Sequence, residues 1–378
     1  MKNPSSQTNV VIIGGGLAGL SLACLLNRDD IPVTLIEKED YPRHKVCGEF
    51  ISRESMGFLI RTGIVEKENN YPLIDRFELV FPNGKAHGCD LNPGGIGISR
   101  FTLDHKLYQL ALNSGVNFIN KDKANTISKQ ENGEFQIELK SGKKLISKVV
   151  VIAAGRRSTS LYKDSKPKAD QLSWFGVKYH IDLPMDMDLI RIMMFEGGYA
   201  GVSAVEDGRY CFCYLAKSKY LKKFKGNIDQ FEEEVLRKNP EIDKVLNQRT
   251  IIDGPFTTSG FHFGYKQIEQ NDLLFCGDAS GFIPPLTGNG MSLAFRNAVT
   301  LHPLLVKYFK GEINWKKLKA DYRKYGDGYL EKRISSGEFL QNLALDPGIF
   351  IQTILSGSMT LFPIMLKQLS KKASGKPF

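Results

Sequence analysis

This chain of 378 residues lacks the marks of a membrane-spanning, disulfide-framed or zinc-ribbon protein. No run of about 18 apolar residues occurs, the length needed for a simple membrane-spanning helix. The nearest approach is 348–366 (GIFIQTILSGSMTLFPIML), which Gln352, Gly357 and Pro363 interrupt. It reads as a buried helical hairpin. The alternative is an interfacial anchor followed by Lys367, Lys371 and Lys372, touching the membrane peripherally. The opening MKNPSSQTN has no apolar signal core. The chain is therefore expected to be cytoplasmic, or peripheral at the inner face of a membrane, with its thiols reduced. Six cysteines form no CxxC pair, and no two of the six histidines stand three to five apart. Local spacing thus gives no zinc site, and no metal is expected.

What is present is ordinary globular composition, 42% hydrophobic and 24% charged. A chain of this length buries enough surface to be stable without disulfides. Lys+Arg minus Asp+Glu is 51 − 41 = +10. That excess fits a solvated basic surface, or attraction to an acidic partner such as an anionic membrane, a phosphorylated lipid or an acyl carrier. The basic residues are scattered without a nucleic-acid signature, so no nucleic-acid partner is expected.

Residues 9–13 (NVVII) form a β-branched run suited to a strand buried on both faces. Gly14-Gly15-Gly16-Leu17-Ala18-Gly19 follows, then a helical pattern through Leu26 and a second buried run at 33–37 (VTLIE). Gly14 allows a tight turn, Gly16 lets backbone approach a pyrophosphate, and Gly19 permits close helix–strand packing. The helix start, at Leu17 and Ala18, offers free N–H groups to phosphates. Glu37 lies 18 residues beyond Gly19, where an acid is expected to accept ribose hydroxyls, with Lys38 beside it. Further buried strands are expected at 149–153 and 273–276, with alternating, antiparallel-type runs at 71–98 and 170–262 and charged helices at 315–345.

Three further segments carry a resemblance. They are Pro42-Arg43-His44-Lys45-Val46-Cys47-Gly48-Glu49, then ISRFTLDHKL at 98–107, then FCGDASGFIPPLTGNGM at 275–291. Together with the glycine turn they resemble the FAD-dependent aromatic-hydroxylase fold, that of group A flavin monooxygenases, in its geranylgeranyl reductase-like branch. The resemblance spans nearly the whole chain. It implies a Rossmann-type α/β FAD-binding domain with an inserted antiparallel β-sheet substrate domain and C-terminal helices. The expected division is 1–72, 96–168 and 264–335 for FAD, 73–95 and 169–263 for substrate, and 336–378 as a helical tail. It places Arg43 near the adenosine or pyrophosphate, Cys47 and Gly48 near the flavin, and Arg100 near the diphosphate, with Asp104 capping its helix. In the last segment Gly277 and Asp278 lead to the ribityl hydroxyls. Pro285, Gly288, Asn289, Gly290 and Met291 then pass the flat ring and aim a helix start at its N1/O2 edge.

Two departures from the family pattern shape the functional expectation. Ala153-Ala154-Gly155 stands where the family usually carries Ala-Asp-Gly, so Ala154 replaces an acid tied to FAD and nicotinamide handling. Tyr199–Ala204 keeps only the tyrosine of the aromatic stretch found in prenyl reductases. The expectation is an FAD-dependent oxidoreductase acting on a hydrophobic small molecule. It would be a monooxygenase, hydroxylating or epoxidising through a flavin C4a-hydroperoxide. The alternatives are a reductase of isoprenoid C=C bonds and a non-catalytic lipid-binding module. With no second GxGxxG, electrons come either from NAD(P)H visiting the cleft or from a separate donor protein. No catalytic base is assigned. The aromatics Trp174, Phe175, Tyr179, Tyr199, Tyr210, Phe212 and Tyr214 read as core, with alternate ones available to line an apolar pocket.

Overall fold

The computed structural model describes residues 6–66, 71–156, 173–345 and 377–378. The expectation for the apolar run at 348–366 lies outside the described residues.

Two eight-stranded sheets organise the molecule. In the first, β1 (Ser6–Ile13) lies between β2 (Val33–Glu37) and β9 (Lys144–Ile152), parallel to both. β2 is flanked by β6 (Asn117–Asn120), and β9 by β17 (Leu273–Phe275), again in parallel. β7 (Ala124–Lys129), β8 (Phe135–Leu139) and β16 (Glu269–Gln270) add antiparallel edges. All five residues of β2 are buried, as a strand covered on both faces demands. One face of this sheet packs on α1 (Leu17–Arg28), α2 (Arg100–Asn113) and α3 (Gly290–Phe309), where Val10, Leu20, Leu107 and Phe295 share one core. Gly14 bonds through its N–H to the carbonyl of Ile36 at 2.8 Å, which locks the end of β1 beside that of β2.

The second sheet runs in the order β14 (Thr250–Phe261), β10 (Trp174–Asp182), β13 (Tyr210–Lys217), β12 (Gly198–Ala204), β11 (Leu189–Phe195), β4 (Leu73–Val80), β5 (Ala86–Gly97) and β3 (Phe50–Ser52). It is antiparallel as expected, except that β4 and β11 pair in parallel. Between them the chain leaves to build β6–β9 and re-enters this sheet through β10. The aromatics divide by strand parity. Phe175, Tyr179, Tyr210, Phe212 and Tyr214 bury against the helices Ile228–Glu234 and Pro240–Gln248, whereas Trp174 and Tyr199 point to the opposite face with Phe261. That opposite face meets Phe282 and Leu286, so it is turned toward the glycine-rich segment after β17. The charged stretch is helical as expected, as Trp315–Tyr325 and Glu331–Leu345 joined by a π-helical turn at Gly326–Leu330. Among the described residues no helix is long and apolar enough to cross a membrane.

Candidate functional site

The glycine turn is held by backbone contact on two sides. A Cβ on Gly14, whose φ is +112°, would lie 2.4 Å from the carbonyl oxygen of Ala153. One on Gly19 would lie 2.0 Å from that of Gly14. Gly16 differs. It is the residue before α1, and only the Lys45 ammonium, 3.6 Å away, comes near its Cβ position. Leu17 and Ala18 are buried, so they offer the site their backbone and not their side chains. The helix start therefore faces open space with unpaired N–H groups and its positive dipole end.

Glu37 is engaged with the turn itself. One carboxylate oxygen accepts from the N–H of Gly15 at 2.7 Å and pairs with Arg43 at 3.0 Å, while the other accepts from the N–H of Glu39 at 3.0 Å. The carboxylate thus clasps the turn directly. Arg43 lies against the Tyr41 ring at 4.6 Å, and its guanidinium donates to the carbonyl of Gly15 at 3.3 Å. Lys38 is turned to solvent beside Glu39.

Arg100 opens α2, but Asp104 does not cap it. The cap is Ser99, whose hydroxyl accepts from the N–H of Thr102 at 3.1 Å. Asp104, one turn inside the helix, is fully buried and binds Arg100 through two hydrogen bonds of 2.7 and 2.9 Å. Lys45 adds an ion pair at 3.0 Å. Burial pushes the Asp104 carboxyl up, but Arg100 and Lys45 outweigh it and hold it at about 2. Its ionised form contributes stability that is complete above the ordinary value of 3.8 and is lost as pH falls through about 2. Asp104→Asn is expected to cost about 3 kcal/mol of unfolding free energy, because two cations then face each other in a buried site. Urea unfolding at neutral pH measures it. A loss below about 1 kcal/mol would mean that water already screens the cluster.

The third segment closes on the first. Gly277, at φ +66°, passes so near α1 that its Cβ would sit 2.8 Å from that of Ala18. Asp278 follows in a short 3-10 turn, half-buried, its carboxyl raised by burial against the opposing pull of Arg156, Arg100, Lys266 and Lys45. The chain then runs through an exposed Pro285 to Gly288 at φ +65°, where a Cβ would touch the Phe50 ring at 3.2 Å. Asn289 is buried, its side-chain amide donating to the carbonyl of Thr287 at 2.8 Å, and α3 starts at Gly290 with Met291 buried. Gly48 and Gly155 have nothing within 4 Å of a Cβ position, and Ala154 is half-exposed beside Gly155. With Gly16 they leave backbone-lined room. Cations and free N–H groups lie at one part of it, and a carboxylate and small residues at another. That donor set suits a dinucleotide with an uncharged flat ring.

Across from Gly48, the site-facing side of the antiparallel sheet is graded in rows. Register places Gly176, Leu215, Tyr199 and Met194 side by side, then Lys178, Cys213, Gly201 and Ile192, then His180, Cys211 and Ser203. Ser203 donates to the carbonyl of Gly48 at 3.1 Å and Cys211 to that of Cys47 at 3.2 Å, so these rows lie against the Cys47-Gly48 corner. Burial pushes the Cys47, Cys211 and Cys213 thiols up, so they stay protonated at neutral pH. Behind the corner sits Glu49, wholly buried at φ +57°. Its carboxylate accepts from Lys178 at 2.7 Å and from the N–H of Arg100 at 2.8 Å, and meets His180 Nε2 at 2.6 Å. Sequence reasoning missed Lys178 and His180. The available signal was their i, i+2 spacing within an otherwise apolar strand, which sets both on one face.

The family model described as FAD binding domain matches residues 7–324. The chain is 24% identical over 354 residues to conditioned medium factor receptor 1 of Dictyostelium discoideum, covering 86% of this chain and 68% of that one. It is 24% identical to the rifampicin monooxygenase of Rhodococcus hoagii, covering 78% and 63%. It is 23% identical to digeranylgeranylglycerophospholipid reductase 3 of Methanosphaera stadtmanae, covering 86% and 84%. The chain thus spans about two thirds of the length of the first two. The flavin-dependent brominase Bmp2 shares the fold, with a TM-score of 0.77 at 15% identity over 97% of this chain and 93% of that one. The glycine turn, the Arg100 corner, the Asp278 segment and the match over 7–324 agree, and the chain belongs to the FAD binding domain family as an FAD-dependent oxidoreductase.

Proposed function

We propose that this flavoprotein is a monooxygenase that hydroxylates or epoxidises a compact apolar molecule. The observation that carries the reading is the second row of the sheet face. Gly201 and Cys213 are small and half-exposed there, with Leu215, Tyr199 and Met194 as an apolar wall on one side. The open Cβ position of Gly48 beside these small side chains gives room that an apolar ring would fill with little water. Bound FAD would supply the two-electron chemistry and the activation of dioxygen. The chain's own residues orient substrate against the Cys47-Gly48 corner, exclude water and hold Lys178 and His180 nearby as proton-bearing groups. Similarity to a rifampicin monooxygenase supports the reading. Tyr199, the one aromatic kept from the prenyl-reductase stretch, leaves Gly201 and Ser203 beyond it, a poor wall for a polyprenyl chain. In this reading 1–72, 96–168 and 264–335 hold FAD and 73–95 with 169–263 hold substrate.

Stopped-flow absorbance of the FAD-loaded protein tests the proposal. Substrate-stimulated oxygen uptake with product carrying one oxygen atom is expected. Equal turnover without oxygen would replace it with the C=C reductase reading. Reduction by NADPH alone would identify the electron donor, and its absence would point to a separate redox protein. Cys213→Phe is expected to keep flavin content but lower kcat/KM by about 10- to 100-fold, the cost of filling an apolar pocket. Unchanged kinetics would move the substrate elsewhere.

A further inference from the structure

Three groups from distant parts of the chain meet at one edge of the interface between the sheets. His44 lies in the loop after β2, His180 near the end of β10, and Asp253 opposite it on β14, where the register shifts on either side of the pair. One ligand-capable atom of each lies within 4.8 Å of the other two. His180 Nδ1 is 3.8 Å from an Asp253 oxygen, too far for a hydrogen bond.

The histidine nitrogens are the telling feature. His180 is wholly buried, yet among the described residues its Nδ1 has no hydrogen-bond partner, and neither has the buried Nδ1 of His44. Buried polar atoms without partners are uncommon. The orientation of His180 is also fixed from behind, since Nε2 meets the Glu49 carboxylate at 2.6 Å. A carboxylate on one imidazole nitrogen holds the proton there and leaves the other nitrogen's lone pair free, the arrangement that supports metal-ligating histidines. His44 is clamped between the rings of Phe101 and Phe256, at 4.7 and 4.1 Å, which leaves its in-plane nitrogens available. The Asp253 side chain is 40% exposed and provides the path from solvent.

The geometry points to a binding site for a divalent transition metal, best matched by zinc, formed by His44, His180 and Asp253. Two imidazoles and one carboxylate suit zinc, which takes nitrogen at about 2.0–2.1 Å and oxygen at about 2.0–2.2 Å. Metal binding draws the three atoms to roughly 3.3 Å apart, and the half-exposed Asp253 side chain can close its share of that movement. Local spacing gave no hint of it, because the ligands lie on three separate elements. The metal would pin the loop carrying Cys47 and Gly48 to β10 and β14. Glu49 acts as a positioning residue for His180.

The test uses the FAD-loaded full chain, dialysed against a chelator and then titrated with Zn2+, with Co2+ as a spectroscopic probe. The expected result is one Zn2+ per chain at micromolar or tighter affinity. Co2+ should show ligand-field bands at longer wavelength than oxidised flavin. His44→Phe, which keeps the aromatic stack, and Asp253→Asn should each weaken binding by about 100-fold or more. Glu49→Gln should weaken it by about 10- to 100-fold. His302→Ala removes a surface histidine paired with Asp29 and should change nothing. The proposal is overturned if the wild-type chain takes up no stoichiometric zinc, or if His44→Phe or Asp253→Asn, at normal flavin content, binds it as well.

Discussion

Gly14→Ala is expected to yield a chain that purifies without flavin and unfolds with at least about 3 kcal/mol less free energy than the wild type. Two separate costs meet at this residue. A φ of +112° lies beyond the left-handed region that L side chains tolerate, worth about 1–3 kcal/mol. The added methyl would also lie 2.4, 2.6 and 2.7 Å from three backbone atoms of Ala153 and Ala154. Backbone in the middle of a parallel sheet does not swing aside as a side chain does, so the clash forces β1 and β9 apart where the turn begins. Gly63 separates the two costs. It too has a positive φ, +76°, yet nothing lies within 4 Å of its Cβ position. Gly63→Ala is therefore expected to cost only about 1 kcal/mol and to keep its flavin. The flavin-to-protein absorbance ratio and urea unfolding of both variants decide the matter. If Gly14→Ala retained full flavin with a loss near that of Gly63→Ala, the turn would be looser than its contacts indicate, and its role as a rigid cradle would fail.

The same contrast explains what was legible in the sequence. β2 was legible to the residue, because a strand buried on both faces must be a continuous β-branched and apolar run. Its neighbouring glycine turn was legible because backbone proximity admits no other residue at Gly14 and Gly19. Side-chain pairings across the chain were not. Glu37 stands where an acid meets ribose, but whether its oxygens face a ligand or the N–H of Gly15 depends on Arg43, placed by a different loop. The resemblance implied Asp104 as a helix cap, yet Ser99 already fills that place and Lys45 draws Asp104 inward. The parallel pairing of β4 with β11 was illegible for a related reason. Alternation reports which faces are buried, and a strand keeps the same alternation whichever way its neighbour runs. Lys178 and His180 were visible only as polar breaks in a strand, since the partner that makes them meaningful, Glu49, precedes Lys178 by 129 residues.

Glu49→Ala is expected to destabilise the fold by about 3–5 kcal/mol, the cost of leaving buried charge without its partner. The carboxylate bonds Lys178, the N–H of Arg100 and His180 at once, and Glu49, Lys178 and His180 are each 0% exposed. Burial pushes the Glu49 carboxyl up and the Lys178 ammonium down, but in each case the partners win. His180 and Lys178 hold Glu49 below its ordinary 4.5, and Glu49 holds Lys178 above its ordinary 10.5. The signs follow from that. Ionised Glu49 contributes stability that is complete above pH 4.5 and is lost as pH falls through its lower folded value. Charged Lys178 contributes stability that is complete below pH 10.5 and is lost as pH rises through its higher folded value. The gap between wild type and Glu49→Ala should therefore be level from about pH 5 to 10 and shrink on either side. Lys178→Met added to Glu49→Ala should recover about 2 kcal/mol, since an apolar side chain in place of the orphaned ammonium removes the worst of the desolvation. If the double variant were no more stable than Glu49→Ala, the penalty would belong to His180 and the N–H of Arg100. Glu49 would then act chiefly as the group that orients His180, and the lysine would be incidental to the fold's stability.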